Sequence, residues 1–306
     1  MVGLLISAVS GILLSGAYEP IGQWWLAPIA LAAHMYALTL TERKVLASFL
    51  FALTLNAIVL HWSSTFVGSV PWLILAVGLS LFYLPLALVS RWGIASYPFL
   101  FIVLEEVRNR FPFGGFGWVR IAYTQADAPY SKIAAIGGAT ALSAIVLLIA
   151  VIILYAFQKR VSFLHFAPFI LLFIPINLDT VGVSKVLLIQ GDVPQMGLDF
   201  NSRAKAVFNN HFEATKKELA KDSDVDFVLW PENSVDVDPF QNVDVKTSLD
   251  SIKEPLIVGA VVYKGNKLLN TSILWGGELP PIYIKQHLTP FGEYIPLRSI
   301  ASKISP

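Results

Sequence analysis

The sequence has 306 residues, of which 55% are hydrophobic and 14% are charged, whereas an average soluble domain has roughly 25% charged residues. Its formal net charge is +1, whereas nucleic-acid-binding proteins carry an excess of basic residues, so we expect no nucleic-acid partner. It has no cysteine, which excludes disulfides and thiolate metal sites among these residues. Its five histidines are scattered, so we expect neither a metal nor a cofactor.

Charged residues are rare in the first part of the chain and frequent in the last. Before position 101 the charged residues are Glu19, Glu42, Arg43, Lys44 and Arg91. From Asp179 onward charges are dense and the apolar runs shrink to strand length. We therefore predict a multi-pass α-helical membrane domain over residues 1–178 and a water-soluble domain over residues 179–306.

Seven apolar segments are candidate membrane spans, because a helix needs about 20 mostly apolar residues to cross the hydrocarbon layer. The first of them could lie at the interface instead, which would leave six. The segments lie at about 3–18, 24–41, 45–62, 71–90, 94–109, 132–157 and 162–178.

Basic residues in alternating loops predict the topology. TERK (41–44), SRW (90–92) and QKR (158–160) lie on one side, which the positive-inside rule assigns to the cytoplasm. Residues after 179 are then outside the cytoplasmic membrane. The opposite loop at 108–132 also carries arginines, for which we consider two interpretations. One is an aromatic belt at the membrane interface, and the other is a lipid head-group site in which Arg108 or Arg120 binds phosphate.

The second domain alternates strand and helix patterns and then continues with strands, which predicts an α/β sandwich with a mixed sheet. Buried strands begin the segments 184–195 and 226–232, with an amphipathic helix between them. The later predicted elements are a weaker helix at 243–253 and strands at 254–265, 267–276 and 280–288.

Two polar residues lie at the ends of predicted strands. Glu232 in LWPEN and Lys285 in YIKQH each have an ordinary interpretation, as a turn cap and as a surface lysine. Catalytic groups of α/β folds cluster at strand ends, so the two together indicate a catalytic site.

Several motifs resemble one enzyme family. LIQGDVPQ (188–195), WPEN (230–233) and YIKQHLTPFGEYIPLR (283–298) resemble the nitrilase-like (carbon–nitrogen hydrolase) domain of bacterial apolipoprotein N-acyltransferases, most of all the actinobacterial ones. The segment at 117–143 resembles the membrane domain of the same family. The resemblance implies that Glu232 is the general base, that Lys285 stabilises the oxyanion and that Glu293 orients this lysine.

The resemblance also implies a cysteine nucleophile in a CYE-like motif beyond residue 293, followed by a last span. Since the 306 residues contain no cysteine, we expect a truncated sequence with an incomplete nitrilase-like domain that is inactive alone, rather than a natural pseudoenzyme. A gene that continues past codon 306 into such a motif would support the transferase, and a stop codon there would support a scaffold.

The implied function is transfer of an acyl chain from a phospholipid donor to the N-terminal diacylglyceryl-cysteine of an apolipoprotein acceptor. A thioester on the enzyme divides this transfer into two easier steps. Two alternatives remain open: a membrane-tethered nitrilase-like amidase with water as the acceptor, and an inactive lipid-binding scaffold.

Overall fold

The computed structural model of the chain divides into two compact units, Met1–Leu178 and Asp179–Pro306, each with its own apolar core. The structure describes residues 1–163, 181–192, 205–265, 267–276 and 282–288. The predicted span at 162–178, apart from its first two residues, lies outside these ranges, and so does Glu293.

The first unit is helical throughout its regular structure. A break inside its longest helix lies at Gly137 and Gly138, where Gly138 has a φ of 61°, a conformation that glycine adopts without strain. The α-helices are α1 (Val2–Ser15), α2 (Leu26–Thr39), α3 (Lys44–Val59), α4 (Ser64–Val67), α5 (Ser69–Leu81), α6 (Val89–Trp92), α7 (Tyr97–Arg108) and α8 (Ala134–Phe157).

Two segments among the described residues are long and apolar enough to cross a membrane, Ser69–Trp92 with 24 residues and Ser131–Phe157 with 27. The helices α1, α2 and α3 are apolar but only 14 to 16 residues long. The segment predicted at 94–109 forms the 12-residue α7, which ends in charged residues. Among the described residues the structure therefore shows a helical region with two candidate spans, and a larger number of spans stays a prediction.

Small residues let α1 and α3 approach closely. A Cβ atom added at Gly11 would lie 2.1 Å from the carbonyl oxygen of Phe51. Thr54 on α3 also donates its hydroxyl to the carbonyl oxygen of Ala8 on α1 at 2.9 Å. Contacts of this kind, through small residues and interhelical hydrogen bonds, are typical of helices that pack inside membranes.

The second unit contains a five-stranded mixed sheet in the order β1-β2-β3-β4-β5. The first three strands are parallel to one another, whereas β4 and β5 continue the sheet in antiparallel fashion. The predicted mixed sheet is thus present. The strands are β1 (Val186–Leu188), β2 (Phe227–Leu229), β3 (Leu256–Lys264), β4 (Lys267–Trp275) and β5 (Ile282–Ile284), and the helices are α9 (Ala206–Leu219) and α10 (Val243–Asp250).

Alternate residues of β3 separate the two faces of this sheet. Val258 and Ala260 are buried in the same apolar cluster as Phe208 of α9 and Leu249 of α10. Since successive side chains of a strand point to opposite faces, Gly259 lies on the face away from that cluster. The candidate site is built on this second face.

Candidate active site

Glu232 and Lys285 contact each other directly, although 53 residues separate them in the sequence. The Nζ of Lys285 donates to the Oε1 of Glu232 at 2.9 Å. The exposed fractions of the two side chains are 30% for the lysine and 56% for the glutamate. Two of the three predicted site residues therefore come together, and the third, Glu293, lies outside the described residues.

A short loop after β2 carries Glu232. The backbone N–H of Trp230 still donates to Ile257 on β3 at 2.9 Å, and the following Pro231 has no N–H to donate to a neighbouring strand. The chain leaves the sheet there, with Asn233 at a φ of 56°, and returns where the N–H of Val235 donates to the carbonyl oxygen of Gly259 at 3.0 Å. Glu232 lies within this excursion.

The end of β5 places Lys285 beside the loop. Ile284 pairs with Thr271 of β4, and the backbone N–H of Lys285 donates to the carbonyl oxygen of Asn270 at 2.9 Å. The side-chain amide of Asn270 in turn donates to the Oε1 of Glu232. Asn270 thus contacts both members of the pair.

Sequence reasoning missed Asn270. Its role depends on the register of β4 with β5, which no local pattern specifies. The only signal was a polar residue inside an apolar strand pattern, and such residues are common at the surface.

Trp230 anchors the loop to the core. Its side chain is 2% exposed, and its Nε1 donates to the hydroxyl of Thr215 on α9 at 2.9 Å. The ring also lies 6.0 Å from that of Phe208 and 5.6 Å from that of His211. The start of the loop is therefore fixed to the core two residues before Glu232.

Two acidic residues close to Glu232 in sequence have different environments. Asp238 is buried, and its carboxylate accepts the backbone N–H groups of Phe240 and Tyr263, each at 2.8 Å, which ties the segment after the loop to β3. Burial raises the pKa of Asp236, and its Oδ1 has no hydrogen-bond partner. Of these three acidic residues, Glu232 is the one that contacts Lys285.

The head-group hypothesis does not hold for Arg108. This side chain is fully buried, and it donates to the hydroxyl of Tyr83 at 2.7 Å and to the carbonyl oxygen of Val119. The reason is that the segment after α7 folds back over the end of the helix, so the guanidinium is enclosed by protein rather than presented to a phosphate.

Arg120 is likewise engaged within the protein. It forms an ion pair with Glu106, donates to the hydroxyl of Thr140 on α8 at 3.1 Å, and its Nε lies 3.7 Å from a carboxylate oxygen of Glu105. Glu105, 1% exposed, accepts the N–H of Ile121 and the hydroxyl of Ser143, each at 2.8 Å. These ion pairs and hydrogen bonds connect α7, the following loop and α8.

Metal binding has no visible basis in the ranges that the structure describes, since no group of three or more histidine or acidic residues there could hold an ion. The chemistry available in the described site is that of a carboxylate base and an ammonium group held 2.9 Å apart.

Known proteins are similar to this chain in sequence. Residues 10–152 match the family model described as the apolipoprotein N-acyltransferase N-terminal domain. Apolipoprotein N-acyltransferase of Mycolicibacterium smegmatis is 33% identical over 96% of this chain and 59% of its own length. The proteins of the same name from Haemophilus ducreyi and Wigglesworthia glossinidia brevipalpis are 28% and 27% identical, over 98% and 68% of this chain.

The chain spans 59%, 66% and 44% of the lengths of these three relatives. The matches nevertheless extend across both of its units. They support the resemblance of the chain to the apolipoprotein N-acyltransferases, and residues 10–152 match the N-terminal domain of that family.

Proposed function

We propose that the complete gene product is an apolipoprotein N-acyltransferase of the cytoplasmic membrane. It takes an acyl chain from a phospholipid and passes it to the α-amine of a diacylglyceryl-cysteine at the N-terminus of a lipoprotein. The observation that carries this proposal is the contact of Glu232 with Lys285 in a chain similar to that family. An ion pair so accessible adds little to stability, which favours a role in chemistry.

Two acyl transfers make up the reaction. A cysteine thiolate attacks the phospholipid ester, so that a C–S bond forms, a C–O bond breaks and a lysophospholipid leaves. The lipoprotein amine then attacks the thioester, so that a C–N bond forms and the thiolate is released. Glu232 takes the proton of the thiol, because the thiolate is the reactive form, and gives it to the oxygen of the leaving lysophospholipid. In the second transfer it takes a proton from the attacking amine and returns it to the released thiolate. The cysteine itself is not among these 306 residues.

Lys285 stabilises the negative charge that develops on the carbonyl oxygen. Its ammonium lies 2.9 Å from the carboxylate of Glu232, so the two roles are linked. When Glu232 accepts the thiol proton, its charge disappears, the attraction for Lys285 weakens and the ammonium becomes available to the oxyanion. Asn270 keeps hold of Oε1, and we propose that Glu293 orients the lysine.

The proposed architecture is a multi-pass membrane domain over residues 1–178 and an extracytoplasmic nitrilase-like α/β sandwich that begins at 179. The close packing of α1 with α3 supports the first part. So does the stacking of Trp62 on Trp118 at 5.0 Å, with 45% and 57% of their surfaces exposed, because tryptophan is enriched at membrane interfaces. A membrane domain suits the function, since both substrates are anchored in lipid.

The topology can be measured with fused reporters. A reporter after residue 180 is expected to behave as extracytoplasmic, and reporters at 43 and 159 as cytoplasmic, because the basic loops remain inside. Alkaline phosphatase and green fluorescent protein fusions at these three positions provide the readout. A cytoplasmic signal at 180 would remove the proposed function, because the lipoprotein acceptor is presented outside the cytoplasmic membrane.

The reaction is tested by incubating the purified complete gene product with labelled phospholipid and a diacylglyceryl peptide. We expect lysophospholipid and an acylated peptide from it, and neither from the 306-residue chain, which lacks a thiol. Turnover by the short chain would contradict a cysteine mechanism. Release of free fatty acid with no transfer to the peptide would identify a hydrolase, and lipid binding with no turnover would identify a scaffold.

A further inference from the structure

The loop that carries Glu232 interrupts a regular parallel ladder. The N–H of Trp230 donates to Ile257, and the N–H of Val235 donates to Gly259. Between these two hydrogen bonds the chain moves on by five residues, whereas β3 moves on by two. In a regular parallel ladder, both strands move on by the same number of residues between two hydrogen bonds. Three additional residues are therefore accommodated on top of β3, and Glu232 is one of them.

The position on β3 beneath this loop is Gly259. A Cβ atom added there would lie 2.4 Å from the carbonyl oxygen of Pro231, 2.6 Å from the Cα of Glu232 and 3.0 Å from the backbone nitrogen of Asn233. All three neighbours are backbone atoms, which cannot rotate away as the end of a flexible side chain can. Any side chain at 259 must therefore displace the loop as a unit.

This displacement would act on the carboxylate. Glu232 reaches Asn270 and Lys285 from the loop, while these two residues are held by the β4–β5 ladder. The loop rests on Gly259, and the partners do not. Raising the loop would consequently change the distance between the two proposed catalytic groups and leave the lysine in place.

We infer that Gly259 is a positioning residue for Glu232: the absence of a side chain lets the 231–233 loop lie against β3 and so holds the carboxylate beside Lys285. This inference deepens the proposed function and rests on it for the role of Glu232. Its geometric part can be tested without any turnover.

The geometric test uses the 306-residue chain and a zero-length carbodiimide cross-linker, which joins a carboxylate and an amine only when they touch. Mass spectrometry of the wild type is expected to show an amide between Glu232 and Lys285, and Gly259→Ala is expected to lose it. The matched control is Ala260→Gly, which weakens the same strand from the opposite face and should keep the cross-link. A wild-type yield in Gly259→Ala would overturn the inference.

Should the added methyl prevent folding of the single variant, a second variant replaces it. Asn233→Gly removes the cost of the positive φ at that position and lets the loop move away from the methyl group in Gly259→Ala/Asn233→Gly. This double variant is expected to fold and still to lack the cross-link. A folded double variant with the wild-type cross-link would equally overturn the inference.

The functional test uses thioester formation by the complete gene product. A displacement of about 1 Å at a reacting group can cost on the order of 100-fold in rate. Gly259→Ala as a single substitution should therefore lower the rate of thioester formation about 100-fold. In the Glu232→Gln background it should leave the residual rate unchanged, whereas equal losses in both backgrounds would show a merely structural effect. If the wild type formed no thioester, the proposed function would be refuted. The cross-linking result would still test whether Gly259 positions Glu232.

Discussion

Lys285→Ala is expected to lower the rate of thioester formation by the complete gene product by about 100- to 1000-fold, the usual loss when one donor to an oxyanion is removed. The substitution should leave the β4–β5 ladder intact, because Lys285 joins that ladder through its backbone N–H. Rates are measured with labelled phospholipid in single-turnover experiments, in which binding and the chemical step separate.

Lys264→Ala serves as the control for this variant. Lys264 lies at the exposed end of β3, opposite Lys267. Removing it takes away the same charge from the same sheet and should leave the rate unchanged. Equal rates for Lys285→Ala and wild type would remove Lys285 from the chemistry.

Glu105→Ala is expected to destabilise the helical unit by about 3–5 kcal/mol, the typical cost of removing one member of a buried charged group. The buried carboxylate accepts the N–H of Ile121 and the hydroxyl of Ser143, and its loss leaves both donors without their acceptor. Arg120, 3.7 Å away, would also lose one of its two carboxylate neighbours. Unfolding is followed by thermal denaturation in detergent.

Two further variants define the cause. Glu105→Gln keeps an oxygen acceptor and should cost less than Glu105→Ala. Glu42→Ala removes a fully exposed carboxylate whose nearest ionic contact is Lys44 at 3.8 Å, and it should leave the denaturation midpoint close to that of the wild type. A Glu105→Ala midpoint equal to that of Glu42→Ala would contradict a structural role for the buried network.

Local patterns predicted many elements well. The apolar segment predicted at 132–157 is α8 at Ala134–Phe157, and the strand predicted at 267–276 is β4 at Lys267–Trp275. These elements follow from continuous hydrophobic runs and from turns rich in glycine, which act over a few residues. The predicted span at 71–90 corresponds to the candidate span Ser69–Trp92. Within it α5 ends at Leu81, close to Pro85, which has no N–H to donate within a helix.

The remaining features depend on contacts between distant parts of the sequence. Nothing in the local pattern of 108–132 indicates that Arg108 turns inward to Tyr83, because its neighbours alone also fit an exposed interface. The approach of Glu232 to Lys285 was inferred from strand ends and a family resemblance. Asn270 and Gly259 could not be identified without the strand register, because it is the register that places them beside Glu232 and its loop.

The most direct measurement compares Glu232→Gln with wild type in the complete gene product, with labelled phospholipid and no acceptor present. The substitution keeps the size of the side chain and an oxygen for Asn270, but it removes the carboxylate that we propose as the base of the thiol. We predict that the wild type accumulates a labelled thioester and that Glu232→Gln forms it only at a residual rate, about 100- to 10,000-fold lower. Labelling of Glu232→Gln at the wild-type rate would contradict the proposal that this loop carries the base of an acyltransferase.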